Sequence, residues 1–105
     1  MKIGNFDLNK DGVYIIAELS ANHNGSLQTA LDTIKAAKDI GANAIKLQTY
    51  RADTITLNSK NEDFLIGGGT LWDGKNLYEL YEEAYTPWEW HKELFDYARS
   101  INIDI

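Results

Sequence analysis

Five side chains stand where their type and spacing could do chemistry: Glu18, Asn22, His23, Lys46 and Gln48. Glu18 follows the apolar run Val13-Tyr14-Ile15-Ile16-Ala17. If that run is a parallel strand, Glu18 lies at its C-terminal end, where α/β folds bind ligands. A carboxylate there is costly to bury without a partner. It reads either as a general acid/base or substrate-hydroxyl anchor, or as a strand-end carboxylate in an ion pair. Lys46 and Gln48 interrupt a second apolar run two residues apart. Period two puts them on one face and Ile45 and Leu47 on the other. Lys46 would suit a phosphate or carboxylate as a point charge; otherwise it decorates a sheet face turned to water. Asn22-His23-Asn24-Gly25 reads as an anion nest beside a helix N-terminus or as an ordinary turn with a solvent-facing His. His23 itself is a candidate ligand-bonding or acid/base group.

Other chemically suggestive residues read as structural. His91 lies one helical turn from Trp88 and Phe95 and reads as a packing residue. Trp72, Trp88 and Trp90 read as loop and helix packing rather than a base-stacking platform. Gly67-Gly68-Gly69-Thr70 lacks the Lys-Ser/Thr of a P-loop and reads as a flexible loop. The two His residues are far apart and make no metal motif.

The elements that would position these residues alternate. Met1 to Gly12 reads as a hairpin, with Lys2–Phe6 as a strand and Asn9-Lys10-Asp11-Gly12 as turn chemistry. Val13–Glu18 is a nearly continuous apolar run, the pattern of a strand buried on both faces. Ser26 is a good N-cap. Leu27, Ala30, Leu31, Ile34 and Ala37 then form a helical stripe, with Lys38 at its edge. Gly41 supplies the left-handed stop, and residues 42–49 read as a second strand. This βαβ unit makes the strands parallel and the crossover right-handed. Residues 50–75 are too long for an ordinary connection and read as a functional loop or lid. Asn76–Ala84 reads as a short helix. Thr86-Pro87-Trp88-Glu89 reads as a helix start, with Thr86 as cap, Pro87 at the first position and Glu89 closing a capping box. That helix runs to about Ser100, and residues 101–105 begin a third strand. Two and a half βα units read as the opening third of a larger α/β protein.

Composition excludes several classes. The chain has 105 residues, 44% hydrophobic, which sets it apart from disordered tails. No apolar run approaches the roughly 20 residues of a membrane span, and the start lacks the apolar stretch of a signal peptide. With Cys 0, thiol nucleophiles and cysteine metal sites are absent, which fits a reducing cytoplasm. A net charge of −6 argues against nucleic acid as partner. Residues 1–51 hold six basic and five acidic groups against four and eleven in 52–105. Cationic groups are thus relatively plentiful where the candidate anion-binding residues lie, and the second half reads as a solvated acidic helix face.

Two stretches, Ile16-Ala17-Glu18-Leu19-Ser20-Ala21-Asn22-His23-Asn24-Gly25-Ser26 and Gly41-Ala42-Asn43-Ala44-Ile45-Lys46-Leu47-Gln48-Thr49-Tyr50, resemble the N-terminus of the sialic acid synthase family. A third, Leu71 through His91, is similar to its pseudaminic acid synthase branch. The resemblance covers essentially the whole chain. It implies the N-terminal part of a (β/α)₈ TIM barrel with a short N-terminal β-hairpin. Residues 1–105 are then one incomplete barrel domain: a hairpin over 1–12, and the first βα units over 13–105, broken off in the third strand.

The family's reaction condenses phosphoenolpyruvate with an open-chain amino sugar. Carbon three of the enolpyruvate attacks the sugar aldehyde, water adds at carbon two, and phosphate leaves with C–O cleavage. In this branch the sugar would be a 2,4-diacetamido-2,4,6-trideoxy-altrose and the product pseudaminic acid. Carried over, Glu18 matches the active-site glutamate and Lys46 the lysine that binds phosphoenolpyruvate. Gln48, Asn22 and His23 match pocket-lining positions. A divalent cation, manganese or magnesium, polarises the aldehyde in the family. Its ligands come from beyond residue 105, so residues 1–105 hold no metal site and should be inactive alone. The family often forms homodimers. At residues 66–70 the sequence reads Ile66-Gly67-Gly68-Gly69-Thr70 where sialic acid synthases proper carry a sugar-contacting Asn, which puts N-acetylmannosamine as substrate in doubt. Two alternatives stay open: an N-acetylneuraminate or legionaminate synthase of the same family, and a non-catalytic binding module with a barrel-like start.

Overall fold

In a computed structural model covering residues 1–105, the elements follow in the order β1 (Lys2–Ile3), β2 (Phe6–Asp7), β3 (Ile16–Ser20), α1 (Leu27–Asp39), β4 (Ala44–Leu47), α2 (Ala52–Ile55), α3 (Leu77–Ala84) and α4 (His91–Ser100). Short 3₁₀ turns lie at Glu62–Phe64 and Trp88–Trp90. The fold is mixed α/β.

β1 and β2 form the expected hairpin, but it turns at Gly4-Asn5 rather than at 9–12. Gly4 has φ +55°, the left-handed conformation a tight hairpin needs and glycine tolerates.

β3 and β4 are parallel, with Ile16 opposite Ala44, Ala17 opposite Ile45 and Glu18 opposite Lys46. α1 makes the crossover. Ser26 caps it by accepting from the Thr29 N–H at 3.2 Å. Its buried residues are Ala30, Ile34 and Ala37, with Leu27 and Leu31 packed at the margin, the stripe that its apolar spacing predicts. Gly41, at φ +94°, turns the chain out of the helix. Asp104 extends the sheet by one parallel bridge to Ala44, so the expected third strand begins there.

One face of this sheet is packed and the other is open. Leu19 and Ile45 meet Ala30, Ile34 and Ala37 of α1 and Leu94 and Ala98 of α4 in a single core. The opposite face carries Ile16, Glu18 and Lys46. Ile16 is 54% exposed there, and Val13 and Ile15 are exposed before the strand begins. Within residues 1–105 the strand expected to be buried on both faces is buried on one, because no element of these residues packs on the other side.

Two local expectations also change. Thr86 does not cap a helix: it is fully buried, its hydroxyl makes no hydrogen bond, and its N–H donates to the Gln48 carbonyl at 3.0 Å. Pro87 instead leads into the 3₁₀ turn, and α4 begins at His91. The loop at 66–75 is ordered by one carboxylate. Asp73 accepts from the Gly69 N–H, the Thr70 N–H and the Thr70 hydroxyl, each at 2.9 Å. Ile66 donates to the Lys75 carbonyl at 3.0 Å, and Leu65 bridges antiparallel to Asn76. The glycine run is thus pinned rather than free. Asn76 then caps α3 in a box with Glu79. No helix is long and apolar enough to cross a membrane.

Candidate active site

The parallel register sets Glu18 and Lys46 side by side on the open face, and their side chains meet. Lys46 Nζ lies 2.9 Å from Glu18 Oε1, with the Ser20 hydroxyl 3.4 Å from Oε2. The Lys46 hydrogen bond, followed by its charge, holds the Glu18 carboxyl below its ordinary range. Glu18 is therefore an ionised acceptor at neutral pH, suited to orient a hydroxyl or water or to take a proton. It is not poised to donate one. Both side chains are more than half exposed, 59% for Lys46 and 56% for Glu18. An ion pair that open contributes little to stability.

Directly after the pair the backbone breaks pattern. Ser20 pairs with Leu47, so β3 gains one residue at Leu19, a bulge. Ser20 stands at φ +51° and Asn24 at +49°, a conformation disfavoured for non-glycine residues. Strained backbone that follows a charged strand end is a recurrent mark of functional loops.

The structure separates the other predicted residues. Asn22 is exposed on this loop; its amide N–H donates to the Leu19 carbonyl at 3.0 Å, which leaves its Oδ1 free. Gln48 lies just past β4, exposed, and its side chain bonds nothing in the chain. His23 does not face solvent, being 1% exposed. Its Nδ1 accepts from the Gly25 N–H at 3.0 Å, and its ring stands edge-to-face on Trp90, centroids 5.2 Å apart. The proton therefore sits on Nε2, which has no hydrogen-bond partner. His23 positions the loop that carries Asn22.

A groove of about 370 Å³ opens beside Lys46, lined mainly by Ile16, Ile45, Leu47, His91 and Ile105. His91 is fixed, as its packing reading required. Its Nδ1 lies 3.2 and 3.1 Å from the Pro87 and Trp88 carbonyls and so carries the proton, and Nε2 accepts from the Thr49 hydroxyl at 2.6 Å. No group of three or more His, Cys, Asp or Glu side chains that could hold a metal ion comes together in residues 1–105.

The NeuB family model matches residues 33–105. The chain belongs to the NeuB family. It is 61% identical over 103 residues to the pseudaminic acid synthase of Campylobacter jejuni, covering 98% of this chain and 29% of that protein. It is 55% identical over 91 residues to the pseudaminic acid synthase of Helicobacter pylori, covering 87% of this chain and 26% of that one. The chain thus spans less than a third of the length of these relatives. A solved structure, the spore coat polysaccharide biosynthesis protein SpsE of Bacillus subtilis, superposes with a TM-score of 0.56 at 31% identity, over 87% of this chain and 22% of that one.

Signals for two organising residues were present in the sequence but weak. Thr70-x-x-Asp73 is a turn-forming spacing, and Asn76-x-x-Glu79 is a capping box.

Proposed function

We propose that the full-length product containing this sequence is a pseudaminic acid synthase. It condenses phosphoenolpyruvate with 2,4-diacetamido-2,4,6-trideoxy-altrose and releases phosphate. The observation that carries this reading is the 61% identity to a pseudaminic acid synthase across 103 residues. The Glu18–Lys46 pair supplies chemistry to match it. Lys46 attracts the phosphate or carboxylate of phosphoenolpyruvate, since its Nζ gives one N–H to Glu18 and keeps two for a ligand. Glu18, already ionised, accepts from a sugar hydroxyl or from the water that adds at carbon two. Asn22, on the loop after β3, and Gln48, just past β4, would line the substrate pocket of the full-length product, and His23 holds the loop.

The reading extends to what surrounds the site. The βαβ unit and the start of a third strand would be the opening of a (β/α)₈ barrel, whose remaining strands cover the open face. A manganese or magnesium ion that polarises the aldehyde would be held by residues outside 1–105. The enzyme would be a cytoplasmic homodimer.

The test is phosphate release from phosphoenolpyruvate by the full-length product with manganese, offering the altrose sugar and N-acetylmannosamine separately. Release with the altrose sugar alone is expected. Release with N-acetylmannosamine alone overturns the substrate, and release with neither overturns the reading.

A further inference from the structure

A second cavity, about 410 Å³, lies between the β3 loop and the loop before α3, lined by Asn22, Asn24, Gly25, Trp72, Glu83 and Ala84. We propose that it is the subsite for an acetamido group of the sugar, and that Trp72 is a specificity-determining residue. This rests on the synthase reading above.

The argument starts from what holds the cavity wall. Asp73 pins the turn that carries Trp72, and the Trp72 N–H donates to the Thr70 hydroxyl at 3.2 Å. Lys75 then clamps the ring. Its Nζ sits 5.5 Å from the indole centroid, a cation–π distance. The same ammonium is anchored on both Glu83 oxygens at 2.6 and 2.7 Å. A tryptophan more than one-third exposed is thereby fixed in position rather than left to pack. A fixed aromatic wall beside a few polar groups is the usual make-up of a small-molecule site.

The chemistry of the lining selects the ligand. Lys75 and Glu83 cancel in charge, so the cavity is close to neutral. Its polar groups both donate and accept: the Asn22 and Asn24 amides do each, and the outer lone pairs of Glu83 accept. Trp72 and Ala84 add apolar surface. The fitting ligand is uncharged, with an N–H or O–H donor and an acceptor oxygen next to a methyl group. An acetamido group has that make-up, and phosphoenolpyruvate does not. The cavity also shares Asn22 with the loop that follows Glu18.

The test uses the full-length product and steady-state phosphate release, varying each substrate. In Trp72→Ala the KM for the altrose sugar is expected to rise at least about tenfold. The KM for phosphoenolpyruvate and kcat should stay within about twofold, because the lost contact is uniform binding of one substrate. Trp72→Tyr should restore most of the affinity. Asn24→Gly keeps the left-handed backbone, deletes the amide and should raise the same KM several-fold. An unchanged sugar KM in Trp72→Ala and Asn24→Gly overturns the subsite and leaves the synthase reading intact. Parallel rises in both KM values overturn it too, since Trp72 would then merely support the loop. No turnover by the wild type with any acetamido sugar overturns the synthase reading, and the subsite with it.

Discussion

Lys46→Ala in the full-length product should raise the KM for phosphoenolpyruvate by about 10- to 100-fold. The magnitude follows from the placement of the ammonium. Two unit charges 4 Å apart interact by about 1 kcal/mol in water and about 4 kcal/mol at the effective dielectric of a protein surface. Lys46 is 59% exposed and already gives one N–H to Glu18, so the lower part of that range applies. About 1.4–2.7 kcal/mol converts to the stated factor. Stability should hardly move, because an exposed ion pair contributes roughly 0–1 kcal/mol. The assay is phosphate release at saturating sugar. Repeating it from 0.05 to about 1 M salt adds a second readout, since screening shortens from roughly 14 to 3 Å over that range. The wild-type KM should climb with salt, and the variant's should be flat.

Glu18→Gln makes the reasoning refutable. It removes the anion that competes for Lys46, so the KM for phosphoenolpyruvate should not rise while kcat falls. If Lys46→Ala leaves that KM within twofold, Lys46 does not bind the anion. If both variants raise it equally, the two residues act as a structural unit, and the division of roles proposed for them is wrong.

Two further predictions concern protonation. Hydrogen bonds from the Thr70 and Gly69 backbone and the Thr70 hydroxyl hold Asp73 below its ordinary carboxyl range. Its ordering of the loop is therefore fully present above about pH 4 and is lost as pH falls through the depressed folded value. Amide exchange at Gly69 and Thr70 should accelerate there, ahead of the core amides of α1, and exchange that stays uniform would contradict it. Tyr14 donates to Asp104 across the hairpin side of the sheet, and that bond, more than burial, pushes its phenol up to about 12. Its contribution is present below pH 10 and lost as pH rises toward 12. Burial also raises the Tyr50 phenol, so ultraviolet titration should show late-ionising tyrosines of which Tyr14→Phe removes one; an unchanged titration in the variant would refute the assignment.

Local signals were legible in the sequence where short-range physics decides. Ser26, the Leu27–Ala37 stripe and Gly41 define α1, because cap, stripe and stop all lie within one helix. The opposition of Glu18 and Lys46 was half legible. Each could be placed at a strand end, but only the parallel register shows that they meet. Features set by distant partners were not legible. His23 is buried by Trp90, 67 positions along the chain, and no local pattern announces that pairing. Thr86 spends its N–H on the Gln48 carbonyl, a tertiary contact that takes the place of the expected cap. The glycine run at 67–69 favours mobility by composition, and Asp73 overrides it with three hydrogen bonds.

The open face of the sheet has an energetic consequence that can be measured. A folded monomer of 11.9 kDa exposes about 5,900 Å², whereas residues 1–105 expose 7096 Å². Their radius of gyration is 16.5 Å, against about 13 Å for a compact domain of this length. Only 15 of 105 residues are buried. The excess surface includes Val13, Ile15 and Ile16 on and before β3, side chains whose burial would add roughly 1.5–3 kcal/mol each. Without that burial the conformational entropy of ordering the chain is poorly offset. Residues 1–105 made alone should therefore unfold without a cooperative transition and bind a hydrophobic dye such as ANS. Calorimetry decides it: a two-state domain of this length would show an unfolding enthalpy near 60–80 kcal/mol. A sharp peak of that size would mean that the single core around Ile34, Ile45 and Leu94 suffices by itself. A broad, featureless trace would mean that the open face, with Glu18 and Lys46 on it, is an interior surface that needs further chain to cover it.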